Sequence, residues 1–150
     1  MPVSDDLHAR NFVTKIANYP KIVNVPNSSS ILHDLLPVAV ALAEHRETGV
    51  YNFTNPGAMS HNEVMELYRE FIDPSKKWEN FTVEEQAKVI VAGRSNCALD
   101  SGKLMGKVKE YVGEGWQLDV PEIHEAYRRC FMRMKENMQQ NPGAQINGEA

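Results

Sequence analysis

The sequence lacks most of the short motifs that mark the active site of an enzyme. It has no Gly-x-Gly-x-x-Gly run and no Walker loop, and therefore none of the usual glycine-rich cradles for a dinucleotide or a triphosphate. A tyrosine followed four residues later by lysine is absent, as is a Gly-x-Ser-x-Gly elbow. The two cysteines, Cys97 and Cys130, match neither a metal-site spacing nor a disulfide framework, so we expect free thiols. These absences predict a chain that does not bind NAD(P) on its own and that has no catalytic or metal centre.

The charge and hydropathy of the chain argue against two classes of partner. Its 150 residues include 16 Lys and Arg against 20 Asp and Glu, a net charge of -4. A nucleic-acid or anionic-membrane binder would need a basic face. The most apolar run, residues 31–43, is interrupted by charge and by proline and is too short to cross a bilayer. No signal peptide opens the sequence. We therefore expect a cytoplasmic protein that binds neither nucleic acid nor membrane.

Hydrophobic periodicity predicts a mixed α/β chain with more helix than strand. We expect Pro37 in the first turn of the second helix and Gly49 just past its end. Helices are predicted at 7–19, from between 30 and 34 to 48, at 61–72, from 83, at 100–104 and at 121–136, and strands at 21–25, 50–54 and 89–91.

Local signals fix some helix boundaries more closely. Ser60 with Glu63 and Thr82 with Glu85 form capping-box patterns, in which each side chain of the pair bonds the backbone N–H of the other residue. Residues 1–136 are predicted to form one domain, and 137–150, which have little to bury, are predicted to be a disordered tail. The last helix is predicted to bury the face formed by Ile123, Tyr127, Cys130, Phe131 and Met134.

The loop around Arg94 is the best candidate for a binding site. The planar guanidinium fork suits a diphosphate, because it makes two parallel charge-assisted hydrogen bonds that lysine cannot copy. Gly93 before it, and Ser95 and Asn96 after it, would let the backbone come close to a ligand. From these residues alone a structural ion pair with a carboxylate such as Asp100 is the favoured alternative, and both interpretations stay open.

Four stretches in succession resemble the carboxyl-terminal part of nucleotide-rhamnose synthases. They are MPVSDDLHARNFVTKI, VNVPNSSSILHDLLP, YNFTNPGAMSHNEVMELY and NFTVEEQAKVIVAGRSN. These synthases are 3,5-epimerase/4-reductase enzymes. More distantly, RSNCALDSGKL is similar to a stretch of dTDP-4-dehydrorhamnose reductases, and both groups are extended short-chain dehydrogenase/reductases. The resemblance covers residues 1–105.

The resemblance implies a fold and a set of binding residues. The fold would be the carboxyl-terminal, substrate-binding portion of a Rossmann-type enzyme, mostly helical with short strands. Arg94 resembles the arginine that meets the diphosphate, and Asn11 and Phe12 resemble the segment that lines the nucleotide pocket. Asn27 and Asn96 complete the candidate set of substrate-binding residues. Many epimerase relatives have an arginine where this chain has Asn27, which leaves a second phosphate contact open.

The resemblance also implies a function. The leading hypothesis is a sugar-nucleotide-binding segment of an enzyme that epimerises and reduces a 4-keto-6-deoxy nucleotide sugar, linked to UDP or dTDP. The complete enzymes use NAD(P), whose binding site and catalytic tyrosine would lie upstream, so we expect no turnover from this chain alone. Its partners would be the nucleotide sugar and a Rossmann half or a full-length relative. The alternatives are a non-catalytic binding or regulatory module and a piece with no independent role.

Overall fold

Helices make up most of the structure, a computed structural model that describes residues 1–89 and 97–140. The mixture of helices and very short strands confirms the predicted composition. The helices are α1 (Phe12–Ala17), α2 (Leu32–Glu44), α3 (His61–Phe71), α4 (Val83–Val89), α5 (Gly102–Gly113) and α6 (Ile123–Gln140), and the strands are β1 (Pro2–Val3), β2 (Lys21–Ile22), β3 (Ser30–Ile31) and β4 (Glu79–Asn80).

The strands form two separate parallel pairs. In the first, β1 lies beside β3, and in the second, β2 lies beside β4. Of the strand predicted at 21–25, Lys21 and Ile22 form a strand in the structure. The prediction of a strand at 50–54 is wrong for the described structure, because a strand needs a neighbouring ladder and none of the described strands pairs with this segment. Side chains bond its carbonyls instead: Lys103 Nζ donates to Val50 O at 3.0 Å, and Ser30 Oγ donates to Phe53 O at 2.6 Å.

The larger hydrophobic core lies between α1, α3 and α6. The predicted face of α6 is confirmed, since all five of its core residues are buried. On α3, Val64, Leu67 and Tyr68 are buried as the helical spacing predicts, and Phe71 is partly buried and stacks on Phe131 with ring centroids 6.3 Å apart. A smaller second core joins α2 to α5 and is formed by Leu35, Val38, Leu104, Val108 and Val120.

Helix α1 is shorter than predicted because the residues before it form a loop held by Asn11. The Asn11 side-chain oxygen accepts from Val13 N at 3.3 Å, which makes Asn11 the N-cap of the helix. Its amide nitrogen donates to Ser4 O at 2.8 Å and to Asp6 O at 2.7 Å. The chain therefore enters α1 at Phe12 instead of at residue 7.

Helix α2 begins within the predicted range of 30 to 34, but Pro37 and Gly49 do not have the positions in the helix that were predicted for them. Pro37 lies inside the helix and not in its first turn, so the bond that its missing N–H would make to His33 O is absent. The residue just past the end with a left-handed conformation is Arg46, with φ 52°, while Gly49, which also has a positive φ of 104°, lies three residues further on. Two hydrogen bonds hold this ending, from Arg46 N to Ala43 O and from Glu47 N to Leu42 O, both 3.0 Å. This is the Schellman arrangement, usually built on glycine.

Both predicted capping boxes are present. Glu63 N donates to Ser60 Oγ at 3.3 Å while Ser60 N donates to Glu63 Oε2 at 2.8 Å. The corresponding distances between Thr82 and Glu85 are 3.2 and 3.0 Å. Val89 is the last residue of α4 and not the start of a strand, and residues 90 and 91 lie outside the described part.

The last two helices extend beyond their predicted limits. Asp100 bonds the first amide of α5, from Gly102 N to Asp100 Oδ1 at 2.8 Å, but the helix runs on to Gly113 instead of ending at Leu104. Pro121 precedes α6 instead of lying in its first turn. Helix α6 reaches Gln140, so 137–140 are helical and not part of a disordered tail, and 141–150 lie outside the described residues. None of the described helices is long and apolar enough to cross a membrane.

Candidate functional site

A groove of about 620 Å³ runs beside α1 and contains two of the predicted binding residues, Phe12 and Asn27. Its lining is partly aliphatic and aromatic and partly polar. The apolar lining includes Phe12, Ile16, Tyr19, Ile22, Val25 and Phe81, and the polar lining includes Lys15, Lys21, Asn27 and His61. A large apolar recess with a few polar groups is the usual form of a site for a small organic ligand.

Phe12 is the first residue of α1 and lines the groove. Its ring meets the ring of His61 edge to face, with centroids 5.3 Å apart and an interplanar angle of 77°. His61 in turn begins α3, and its Nδ1–H donates to Val25 O at 3.0 Å. The starts of two helices therefore fix this part of the wall.

Asn27 lies at the junction of three chain segments. Its backbone pairs with Met59 in both directions at 3.1 Å, and it also forms a parallel bridge with Cys97. Next to it, Ser28 N donates to Cys97 O at 2.7 Å. The Asn27 side chain donates to Val25 O at 3.3 Å. This junction holds Cys97, the first described residue after 90–96, against the segment that lines the groove.

Arg94 and Asn96 lie outside the described residues, so the predicted role of each stays a prediction. Asn11 is not among the residues that line the groove. Both amide hydrogens of its side chain have backbone acceptors, and it acts as the cap that places Phe12. Its contact with a nucleotide also stays a prediction.

Most residues that line the groove were not in the predicted site, among them Lys15, Tyr19, His61 and Phe81. Lys15 has a signal in the sequence, because it lies three residues after Phe12 and a helix places both on one face. Tyr19 lies two residues past the end of α1 and reaches the groove from there. His61 and Phe81 come from distant segments, and only the tertiary structure brings them to α1.

The positive charges of the groove differ in what they contact. Lys21 Nζ lies 2.6 Å from Glu85 Oε1 and 3.8 Å from Glu79 Oε2, and the hydrogen bond to Glu85 raises the pKa of Lys21. Lys15 has no hydrogen bond or ion pair through its side chain to any described residue. The groove thus holds one lysine neutralised by carboxylates and one that these residues leave unpaired.

Asp34 has a structural role. It is buried at the start of α2, where Asn55 Nδ2 donates to Asp34 Oδ2 at 3.1 Å. Asn55 also accepts from Ile31 N at 2.9 Å and donates to Pro121 O at 3.2 Å. Burial raises the pKa of the Asp34 carboxyl above its usual range. The pair ties the start of α2 to the segment before α6.

The described residues do not suggest a metal site or a disulfide. No group of three or more His, Cys, Asp or Glu side chains among them is arranged to hold a metal ion. Both cysteines are free thiols, as predicted: Cys97 is exposed and Cys130 is buried, and burial raises the pKa of Cys130 to about 12. A thiol with such a pKa stays protonated near neutral pH and is not a nucleophile.

Comparison with known proteins shows that the chain is similar to part of enzymes of nucleotide-rhamnose synthesis. The chain is 59% identical over 111 residues to the bifunctional dTDP-4-dehydrorhamnose 3,5-epimerase/dTDP-4-dehydrorhamnose reductase of Arabidopsis thaliana, a match that covers 73% of this chain. Its homologues are nucleotide-rhamnose synthases. A trifunctional UDP-glucose 4,6-dehydratase/UDP-4-keto-6-deoxy-D-glucose 3,5-epimerase/UDP-4-keto-L-rhamnose-reductase of the same plant is 54% identical over 111 residues. No family model matches the chain.

A solved structure of a nucleotide-rhamnose synthase has the same fold over most of the chain. The crystal structure of the UDP-rhamnose synthase of Acanthamoeba polyphaga mimivirus matches with a TM-score of 0.77 and 37% sequence identity over 89% of this chain. The chain spans less than half the length of these nucleotide-rhamnose synthases: 43% of the viral structure, 37% of the bifunctional plant enzyme and 17% of the trifunctional one.

Proposed function

We propose that the chain is the sugar-nucleotide-binding segment of an extended short-chain dehydrogenase/reductase that epimerises and reduces a 4-keto-6-deoxy nucleotide sugar to nucleotide-rhamnose. The observation that carries this proposal is the groove beside α1, in a chain whose homologues are nucleotide-rhamnose synthases. Its aliphatic and aromatic wall suits a nucleobase and ribose, which need apolar contact with few polar anchors. Its cationic side chains suit the diphosphate.

In this proposal Arg94 binds the diphosphate through two parallel hydrogen bonds, and Asn96 leaves space beside it. Asn27 lines the groove and holds the segment that begins at Cys97, which follows Arg94 closely in the sequence. Phe12 contributes to the apolar wall, and Asn11 places Phe12 there. These roles come from the resemblance and the groove together, and the experiments below test them.

The nicotinamide cofactor of the complete enzyme would bind elsewhere. A dinucleotide pyrophosphate needs free amides at the N-terminus of a helix, approached through glycine. Gly102 begins α5, but the Asp100 carboxylate accepts from Gly102 N at 2.8 Å and occupies the place that a pyrophosphate would take. This helix start therefore does not fit the cofactor. We propose that a Rossmann part supplies the NAD(P) site and the proton-donating tyrosine.

Two surfaces support the proposal of a Rossmann partner. The outer side of α2 exposes Leu36 and Val40, which are 56% and 55% accessible, and Val50 is 85% accessible. The segment that follows Val50 has the sequence of a strand but no strand partner among the described residues. A partner could bury these apolar side chains, and a neighbouring strand from it would pair with this backbone in place of the Lys103 and Ser30 side chains.

Calorimetry on the 150-residue chain tests the proposed binding. We expect UDP or dTDP to bind at one saturable site, with Arg94→Lys weaker than wild type and Arg94→Ala weaker still, by about 2–5 kcal/mol if the contact is desolvated. Thermal melts should be nearly unchanged. If neither nucleotide binds, the proposal is wrong. If Arg94→Ala lowers stability and leaves affinity unchanged, Arg94 belongs to a structural ion pair.

A second titration tests whether the cofactor binds to this chain or needs a separate Rossmann part. Fluorescence titration with NADPH should give no saturable binding to the chain alone, because the glycine cradle is absent from the sequence and Asp100 occupies the start of α5. Saturable binding in the micromolar range would contradict the proposal that a separate Rossmann part holds the cofactor.

The alternative function, a non-catalytic binding or regulatory module, is supported by one observation. The described residues bury two hydrophobic cores of their own, with Tyr127, Phe131 and Leu104 completely inaccessible. Mixing the chain with a separately expressed Rossmann half of a plant relative distinguishes the two functions. Rhamnose formation that depends on both parts favours the enzyme segment, and nucleotide binding without any turnover favours the module.

A further inference from the structure

One face of α1 points an unpaired positive charge into the groove. Phe12, Lys15 and Tyr19 are separated by three and four residues and all three line the groove. Phe12 in the helix and Tyr19, two residues past its end at Ala17, supply apolar surface before and after Lys15. The lysine is exposed, so its four-carbon stem can lie on the apolar wall while its ammonium group moves freely.

The other polar groups that line the groove are already engaged or uncharged. The ammonium group of Met1, which also lines the groove, donates to Ser28 O at 3.1 Å. Lys21 faces the Glu85 and Glu79 carboxylates at 2.6 and 3.8 Å. His61 donates its Nδ1–H to Val25 O. Asn27 carries no charge and uses its amide on the same carbonyl. Among the described residues of the lining, Lys15 is thus the side chain with a full positive charge and no carboxylate beside it.

We propose that Lys15 contacts the phosphates of a nucleoside diphosphate bound in this groove. The proposal rests on the proposed function and adds a binding residue to it. The whole chain carries a net charge of -4, so an anionic ligand needs a local positive charge to approach. An ammonium group on a flexible stem binds phosphate as a point charge and needs no fixed geometry. Lys15 would therefore provide a cation where Asn27 provides none.

A purely structural role for Lys15 makes a different prediction. Lys15 lies in the last turn of α1, where a positive charge interacts favourably with the helix dipole, by about 0.3–1 kcal/mol at an exposed site. In that case the lysine would affect stability and not affinity. Measuring both quantities in the same variants separates the two roles.

The test is calorimetry of UDP and of uridine with four forms of the full chain: wild type, Lys15→Met, Lys15→Arg and Lys109→Met. Lys109 is the matched control, because it is exposed on α5, has no described partner and does not line the groove. We expect Lys15→Met to weaken UDP binding roughly fivefold, the size of a solvent-exposed charge pair. Lys15→Arg and Lys109→Met should stay near wild type. The UDP affinity of wild type should fall more steeply with salt than that of Lys15→Met.

Uridine separates the phosphate contact from other effects. If Lys15→Met weakens UDP binding and leaves uridine binding unchanged, Lys15 acts on the phosphates. If it weakens both equally, or if Lys109→Met matches its effect on UDP, the proposal is overturned. If wild type binds UDP and Lys15→Met binds it equally well, Lys15 is not a phosphate contact although the proposed function stands. If wild type binds dTDP and not UDP, the same titrations with dTDP and thymidine decide on Lys15, and if it binds neither nucleotide, both proposals are wrong.

Discussion

Helices α2 and α3 are of similar length, with 13 and 11 residues, but their outer faces differ. On α3 the exposed side chains are charged, and on α2 most of them are apolar. The exposed residues of α3 are Glu63, Glu66, Arg69 and Glu70, and those of α2 are His33, Leu36, Pro37, Val40, Ala43 and Glu44.

This difference indicates what each helix is built to face. A helix that packs against one core has one apolar stripe and a polar remainder, which describes α3. Helix α2 has its buried stripe of Leu35, Val38 and Ala41, and a second apolar row at Leu36 and Val40 on the opposite side. A helix that is apolar on both sides is usually covered on both sides. We infer that the outer face of α3 is a surface that faces solvent. The outer face of α2 is an unfinished surface, by which we mean an apolar surface that a partner covers.

The largest effect on the free energy of unfolding is expected in the larger hydrophobic core, between α1, α3 and α6. Phe131 is completely buried and contacts the rings of Tyr68, Phe71 and Tyr127, with centroids 6.2–6.4 Å apart. Phe131→Ala should lower the free energy of unfolding by about 3–5 kcal/mol, because it leaves a large cavity. Met132→Ala is the control, since that side chain is 45% accessible. Urea denaturation of the two variants should show a large loss for the first and almost none for the second.

A smaller loss of stability is expected at Asn55, whose hydrogen bonds join the start of α2 to the segment before α6. Asn55 is completely buried and bonds Ile31 N, Asp34 Oδ2 and Pro121 O. Asn55→Ala should cost about 1–3 kcal/mol, the cost of leaving one buried donor, the N–H of Ile31, without a partner. The same urea measurement checks it, with Asn52→Ala as the exposed amide control. Equal stability of the two variants would mean that water replaces the Asn55 contacts.

The third effect is a pH dependence where α6 meets α3. His124 Nδ1 lies 2.9 Å from Glu122 Oε1, and Nε2 lies 3.2 Å from Glu63 Oε1. These two hydrogen bonds raise the pKa of His124. The resulting stabilisation is complete below the unfolded pKa of about 6.5 and is lost as pH rises through the folded pKa.

His124→Gln checks that sign. The stability difference between wild type and variant should be largest at pH 5.5 and should shrink at pH 8.5, and at its largest it should be below about 1 kcal/mol because the pair is half exposed. Subtracting the variant removes the contribution of His45, whose pKa is also raised, first by a hydrogen bond to Ala41 O and then by Glu114. A difference that grows with pH would contradict the assigned contacts.

What the sequence could predict in these regions was mostly local. The two capping boxes and the buried face of α6 depend on residues within a few positions of one another, and the structure confirms them. The groove is only partly local. Phe12 and Lys15 share a helix face by spacing, but Phe81 and His61 reach it through contacts that cross the chain, which periodicity does not reveal.

The errors have non-local causes. A strand at 50–54 is a reasonable prediction from residue types, but strand formation depends on a neighbour outside the segment. Helix α2 accommodates Pro37 because packing of Leu35 and Val38 in the second core outweighs one lost hydrogen bond, which propensity alone does not show. Arg46 takes the position that usually favours glycine, and two backbone hydrogen bonds hold it there.

The smallest effect on stability, and the most direct test of the contrast between the helices, is expected on the outer face of α2. Replacing Leu36 and Val40 together by Ser should change the free energy of unfolding by less than about 1 kcal/mol, because both side chains are already more than half exposed and the substitution only lowers helix propensity slightly. The same variant should bind clearly less of an apolar fluorescent dye than wild type, since it removes the exposed apolar row. Glu66→Ser with Glu70→Ser on α3 is the matched control, which should leave dye binding unchanged. Equal dye binding by wild type and both variants would mean that the outer face of α2 binds the dye no better than that of α3. The inference that the outer face of α2 is an unfinished surface would then be wrong.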